Sequence, residues 1–286
     1  MSALADLLVG PFVEFGFMRR ALVAACGLAL SCGPVGVFLN LRRMTLVGDA
    51  MQHAILPGVA AGFLLAGLST VAMSIGGLIA GLLVAFAAGV VSRRTHLRED
   101  AAFGAHYMIA LALGVTLISV RGTAVDLMHV LFGNVLAVDD AALLMVAAAA
   151  TVTLLSLAVG YRPLVADCFD PGFLRSVGAG RWTPFFFLAL LVLNLVAGFQ
   201  ALGTVMALGF IILPAVAASF WARSVWGLIA VATGIGLASA YLGLLVSFHV
   251  AAPSGPAIVL AAGVCYLFSL MLAKSIRRRW GSFNHP

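Results

Sequence analysis

The sequence predicts an all-α polytopic membrane protein, and three observations carry that reading. Hydrophobic residues make up 63% of the 286 positions and charged residues only 9%, far from the balance of a water-soluble domain. The few charges sit in short clusters, leaving runs long enough for helices of roughly 20 residues to cross the hydrocarbon layer. Threaded in order, those runs place thirteen of the 16 Lys and Arg residues on one side, the asymmetry that orients membrane proteins.

Each span follows from a run without Lys, Arg, Asp or Glu. Ala21–Leu41 is the first. Between Arg43 and Arg93 only Asp49 interrupts, so Ala50–Val91 accommodates two crossings that turn near Gly67-Leu68-Ser69-Thr70. Ala101–Val120 and Ala141–Tyr161 are single crossings. Trp182–Ala222 holds two, broken around Phe199–Thr204, and Ser224–Ala273 holds two more, broken at Pro253-Ser254-Gly255-Pro256. The count is about nine, with eight to ten compatible with the N-terminal end. Only Arg19, Arg20 and Arg121 then lie outside, which sets the N-terminus outside and the C-terminus in the cytoplasm.

A single transmembrane domain over residues 1–286 is expected, with 1–18 as an amphipathic segment on the outer surface and 274–286 as a basic cytoplasmic tail. No cleaved signal peptide is indicated, so the first span serves as the targeting signal. The net charge of +6 is explained by loops facing anionic membrane lipid and not by nucleic acid. Cys26, Cys32, Cys168 and Cys265 are scattered and form no C-x-x-C pair, so neither a disulfide nor a zinc–thiolate site is inferred. No G-x-x-x-x-G-K-[ST] loop is present, and the chain does not hydrolyse nucleotide by that route.

Two segments do not read as crossings. Residues 121–140, "RGTAVDLMHVLFGNVLAVDD", are polar at the ends and apolar in the middle, which fits an interfacial or re-entrant helix. Residues 162–181, "RPLVADCFDPGFLRSVGAGR", form the longest cytoplasmic loop. Within it Asp170 can cap a short helix, Pro171 suits the first helical position and Gly178 the stop. Such a helix on the inner face is either a docking element or an ordinary amphipathic loop.

The chemistry centres on "VGDAMQHAILPG", where Asp49 and His53 stand four residues apart. That spacing projects both from one face of a helix, about 5–6 Å apart at the β-carbons, and an acid inside a span points to function by default. Imidazole with carboxylate suits zinc, and with more oxygen ligands manganese or iron(II). Two side chains leave the coordination incomplete, to be met by water, by other histidines or by the same pair of a second copy across a two-fold axis. The plainer alternative is that Asp49 caps the helix that follows and His53 fills a polar gap. Gln52 is rotated about 100° from His53 and faces elsewhere.

Other histidines are weaker metal candidates. His106 lies in an apolar span and is either a second polar point along a conduit or a hydrogen-bonded packing residue. His129 shares its segment with Asp126, Asp139 and Asp140, an acidic rim or simply a solvated loop, and His249 precedes the P-S-G-P turn, where it would line an entrance. A hydrolase using Ser254 or Ser247 beside His249 is a remote alternative, lacking both G-x-S-x-G and a nearby acid.

Six blocks, in order, resemble the membrane permease subunit of bacterial zinc/manganese/iron(II) ABC importers, most of all the zinc-uptake permeases. The first is "FLNLRRMTLVGDAMQHAILPGVAAGFLL" (Phe38–Leu65), with its Arg-Arg-Met loop and G-D-x-x-x-H-x-x-x-x-G. The others are "EDAAFGAHY", "DLMHVLFGNVLAV", "DPGFLRSVG", "QALGTVMALGFIILPAVAA" and "PSGPAIVL". The resemblance covers about Ala21 to Leu272. It implies the type II importer fold, a homodimer with its pathway between the copies, and import of Zn²⁺, with Mn²⁺ or Fe²⁺ as the alternative, across the cytoplasmic (inner) membrane. It also implies cytoplasmic ATP-binding subunits that hydrolyse ATP, an extracytoplasmic metal-binding protein, and no permanently bound cofactor. Asp49 and His53 map onto the family's metal pathway. Asp170, Pro171, Phe173, Leu174 and Gly178 map onto its coupling helix. Relatives often carry an aspartate two residues before the proline of the P-S-G-P turn, where this chain has Ala251; either His249 substitutes or the role is absent.

Overall fold

The structure, a computed structural model, describes residues 2–67, 69–120, 139–176, 180 and 182–281. Among these there are helices and no strands. The order is α1 (Ser2–Glu14), α2 (Gly16–Leu41), α3 (Thr45–Ala54), α4 (Leu56–Ala66), α5 (Thr70–Arg94), α6 (Glu99–Val120), α7 (Asp140–Phe169), α8 (Pro171–Ser176), α9 (Thr183–Leu202), α10 (Thr204–Ala218), α11 (Val225–Val250) and α12 (Ser254–Gly281). Of the expected segment 121–140, residues 121–138, with His129, lie outside the described residues, as does Gly178, while Asp139 caps α7 and Asp140 begins it.

Seven of these helices, α2, α5, α6, α7, α9, α11 and α12, are long and apolar enough to cross a membrane. The two further crossings expected from the sequence fall on α3–α4, which is broken at Ile55, and on α10, which has only 15 residues. The break at Ile55 has a local cause. Pro57 offers no N–H to the carbonyl four residues back, that of His53, and the Ile55 N–H turns to that carbonyl instead. At the other breaks the chain changes direction where φ is positive, at Gly67 (φ +64) and Gly203 (φ +88).

α2 is the central helix, with 72% of its apolar window buried. Met18, Leu28, Phe38 and Leu39 are fully enclosed, and Pro34 is accommodated inside it. Small residues let its neighbours approach: a Cβ at Gly33 would lie 2.6 Å from Thr233 Oγ1 of α11, and one at Gly36 would strike the Ile211 carbonyl oxygen of α10. Close backbone approach through glycine is how membrane helices gain dispersion contacts without a hydrophobic driving force. α4 and α5 pack the same way, Gly58 against Gly76 and Gly62 against Ala72. Among the buried polar groups, Asn194 of α9 donates to Thr153 Oγ1 of α7 (2.8 Å) and to Leu190 O (2.8 Å), with Cys32 Sγ of α2 at 3.9 Å from its Oδ1. The network ties three spans at their core.

Two boundaries differ from the sequence reading. α2 begins at Gly16 rather than Ala21, so Arg19 and Arg20 lie within its first five residues, where Arg20 reaches Asp140 of α7 at 3.4 Å. α7 runs on through Arg162 and Pro163 to Phe169, eight residues beyond the expected span, so only the second half of 162–181 is separate from it. Just before this extension Tyr161 stacks on Trp226 at 4.7 Å and Gly160 lies against Phe186, and within it Leu164 is fully buried. α1 packs at the end of α11: Tyr241 donates to the Leu8 carbonyl (2.9 Å) and stacks on Phe12.

Candidate metal pathway and coupling helix

Asp49 and His53 both lie on α3, one turn apart. At 1.5 Å rise per residue they stand about 6 and 12 Å from the start of the broken α3–α4 span. Asp49 does not cap this helix. The cap position is Met44, with no side-chain cap bond, and Asp49 is the fifth residue. Its carboxylate is therefore free for another role, which removes the plainer reading of the residue. α3 buries Val47, Gly48, Ala50, Met51, Gln52 and Ala54, while Asp49 is exposed and His53 half-buried. The pair thus sits on the outer face of the chain, at a span whose other side is core. The His53 ring lies 6.0 Å from that of Tyr107 on α6, which fixes its lateral position.

Gln52, expected to face away from His53, turns inward; it is 5% exposed, and its Oε1 accepts no hydrogen bond among the described residues. No group of three or more His, Cys, Asp or Glu side chains placed to hold a metal occurs among the described residues.

Two further histidines each hold a backbone carbonyl. His106 Nδ1–H donates to the Ala102 carbonyl one turn back (2.8 Å), the packing alternative for this residue. His249 Nε2–H donates to the Leu7 carbonyl (3.1 Å), so it fastens α1 to the end of α11. Ser247 donates to the Ala252 carbonyl (2.7 Å), and Ser254 Oγ is buried with no hydrogen-bond partner among the described residues. Neither serine is hydrogen-bonded to His249. Ala251 adopts the left-handed conformation (φ +55) as the C-cap of α11. Aspartate tolerates that conformation better than alanine, so a carboxylate at this position has a backbone role open to it as well as an ionic one.

α8 forms as its sequence dictates. Asp170 Oδ1 accepts from the Phe173 N–H (2.9 Å), and Pro171 opens the helix. Leu174 is buried at 5% exposure, while Phe173 (59%) and, just before the helix, Phe169 (69%) project outward. An anchored helix presenting exposed aromatics has the form of a docking element.

One feature was not legible in the sequence. Arg42, read there only as one of the cytoplasmic arginines, is buried: its Nη2 lies 2.7 Å from Asp167 Oδ2, with the two side chains 6% and 11% exposed. The guanidinium also covers the Phe187 ring at 4.4 Å. The doubled arginine before α3 was the available signal, but its partner lies 125 positions away.

Comparison with known proteins accords with this architecture. The model of the ABC 3 transport family matches residues 14–273. The manganese import system permease protein ScaB of Streptococcus parasanguinis is 34% identical over 267 residues, 93% of this chain and 94% of that protein. The chelated iron transport system membrane protein YfeD of Yersinia pestis is 32% identical over 272 residues, 95% and 90% of the two chains. Among solved structures, PsaBC from Streptococcus pneumoniae in complex with Fab superposes with a TM-score of 0.81 at 32% identity, covering 93% of this chain and 95% of that one. With its multi-pass helical bundle and a match along nearly its whole length, this chain belongs to the ABC 3 transport family, as a metal-importer permease of the bacterial cytoplasmic membrane.

Proposed function

We propose that the chain imports Mn²⁺, with Fe²⁺ as the second cargo, and that Asp49 and His53 are transient ligands on the way. The observation that carries the site is the exposed carboxylate of Asp49 on an otherwise apolar span, uncapped and one turn from His53. The cargo rests on the relatives, whose names specify manganese and chelated iron. The sequence resemblance put zinc first; those names favour its manganese or iron alternative.

A single chain offers one carboxylate and one imidazole. Facing its own copy across a two-fold axis, it would offer two of each, a mixed oxygen and nitrogen set that suits Mn²⁺ when water completes the shell. Incomplete coordination in each chain serves transport, since an ion held too tightly does not leave. In this reading cytoplasmic ATP-binding subunits dock on α8 and an extracytoplasmic binding protein delivers the ion.

The test is uptake of radioactive manganese by cells expressing the transporter, with Zn²⁺ and Fe²⁺ as competitors. Asp49→Ala and His53→Ala are each expected to abolish uptake at normal expression. Unchanged uptake removes the ligand role, and preferential competition by zinc restores the zinc reading.

A further inference from the structure

The Arg42–Asp167 pair joins two places that the proposed function keeps apart. Arg42 ends α2, with only Arg43 and Met44 between it and α3, the helix of Asp49 and His53. Asp167 is in the last turn of α7, three residues before Asp170, the cap of α8. The side chains meet at 2.7 Å and are almost wholly enclosed. The Arg42 Nε has no hydrogen-bond partner among the described residues.

The turn that carries Arg42 is stiff. The Arg42 and Arg43 N–H groups donate to Phe38 and Asn40 carbonyls and Met44 to that of Leu39, each at 3.0–3.1 Å. Arg43 is held at φ +56, a conformation that a bulky residue keeps only when its surroundings enforce it. A pull on Arg42 that reaches its backbone is therefore passed to the start of α3 rather than absorbed by the turn. On the other side, Asp167 is continuous through the chain with the capped α8. Around the pair lies a cavity of about 630 Å³, lined by Arg42, Met44, Asp167, Cys168 and Pro171 among others, which gives the junction room to shift.

A buried ion pair is weak evidence for stability, because apolar residues of similar volume often serve as well. What it adds is a partner-specific link with two defined states, made and broken. We propose that the Arg42–Asp167 ion pair is the link by which movement of α8 on the ATP-binding subunits is passed to α3 and its metal-binding pair. The two residues are positioning residues and touch no ion themselves. This inference rests on the importer reading above.

The experiment uses the complete transporter in proteoliposomes, recording manganese uptake and ATP hydrolysis together. Arg42→Met/Asp167→Leu keeps the packing and removes the charges. Uptake per ATP is expected to fall at least about fivefold, the lower end of the range typical of coupling between sites, while thermal stability and assembly with the ATP-binding subunits are retained. Asp167→Asn, nearly isosteric, is expected to lower the same ratio, and it decides the matter should the double variant fail to assemble. A ratio within about twofold of the unmodified transporter overturns the link and leaves the pair a structural contact. Asp49→Ala is run in parallel. Its loss of uptake reports on the importer reading separately, so failure of one proposal is not mistaken for failure of the other.

Discussion

Replacing Gly58 by alanine adds one methyl group at a very close crossing of α4 and α5. A Cβ there would land on the Gly76 carbonyl oxygen, 2.5 Å from its carbon and 2.6 Å from Ala80 Cβ. Ordinary carbon–carbon contact is about 3.5–4.0 Å, so α4 and α5 must part by roughly 1 Å at this point. The obstacle is backbone on a partner helix, with no flexible side chain to swing aside. Overpacking of this kind costs about 1–3 kcal/mol, and parting the helices also loosens the Gly62–Ala72 contact one turn on. Gly76→Ala meets the Gly58 carbonyl in return, so each substitution does the work of separation that the other would require. The two are therefore expected to be strongly sub-additive. Thermal unfolding of the purified permease in detergent measures both singles and the double. Neutral single variants, or full additivity in the double, would refute the close crossing.

Other expectations follow from single contacts. Removing one partner of the buried ion pair alone, as in Arg42→Ala, leaves Asp167 enclosed and uncompensated and should destabilise by about 3–5 kcal/mol, whereas the paired apolar replacement should be near neutral in the same melt. Asn194→Leu takes away the amide donor that bridges α9 to Thr153 of α7 and is expected to cost about 0.6–1.7 kcal/mol, the measured scale for hydrogen bonds between membrane helices, read as a lowered unfolding temperature. Ala251→Gly relieves a left-handed alanine and should stabilise by roughly 0.5–1 kcal/mol without changing uptake; a loss of stability would contradict the C-cap geometry. Asp170→Ala removes the cap of α8, costing about 1 kcal/mol locally, and should lower manganese uptake more than Asp170→Ser, which retains a capping oxygen.

The two substitutions at Arg42 separate stability from communication. A pair kept only for stability predicts damage from Arg42→Ala and none from the paired apolar change, in every assay. A coupling link predicts that the paired change is well folded and still transports poorly for the ATP it consumes. The same separation applies to Asp49, which lies exposed on α3 and contributes no cap, so its loss should leave the melt unchanged while uptake fails.

Much of this protein is local in origin and therefore present in the sequence. Span positions follow from charge-free runs, since hydrocarbon penalises each charge wherever it sits in the fold. The turn at Gly67, the joint near Gly203, the end of α11 before Pro253 and the Asp170 cap each depend on a few adjacent residues. Asp49 and His53 stand one turn apart in any helix. What the sequence left open was decided between segments distant in the chain. Only packing shows that Asp49 faces outward while Gln52 is buried, that His106 and His249 each donate to a backbone carbonyl, and that α7 continues through Pro163 to place Asp167 beside Arg42. Arg42 is the clearest case. A positive-inside count treats every loop arginine alike, because it registers charge near an interface and nothing more; burial against Asp167 and Phe187 arises only where α2, α7 and α9 converge, and that convergence is a property of the tertiary structure.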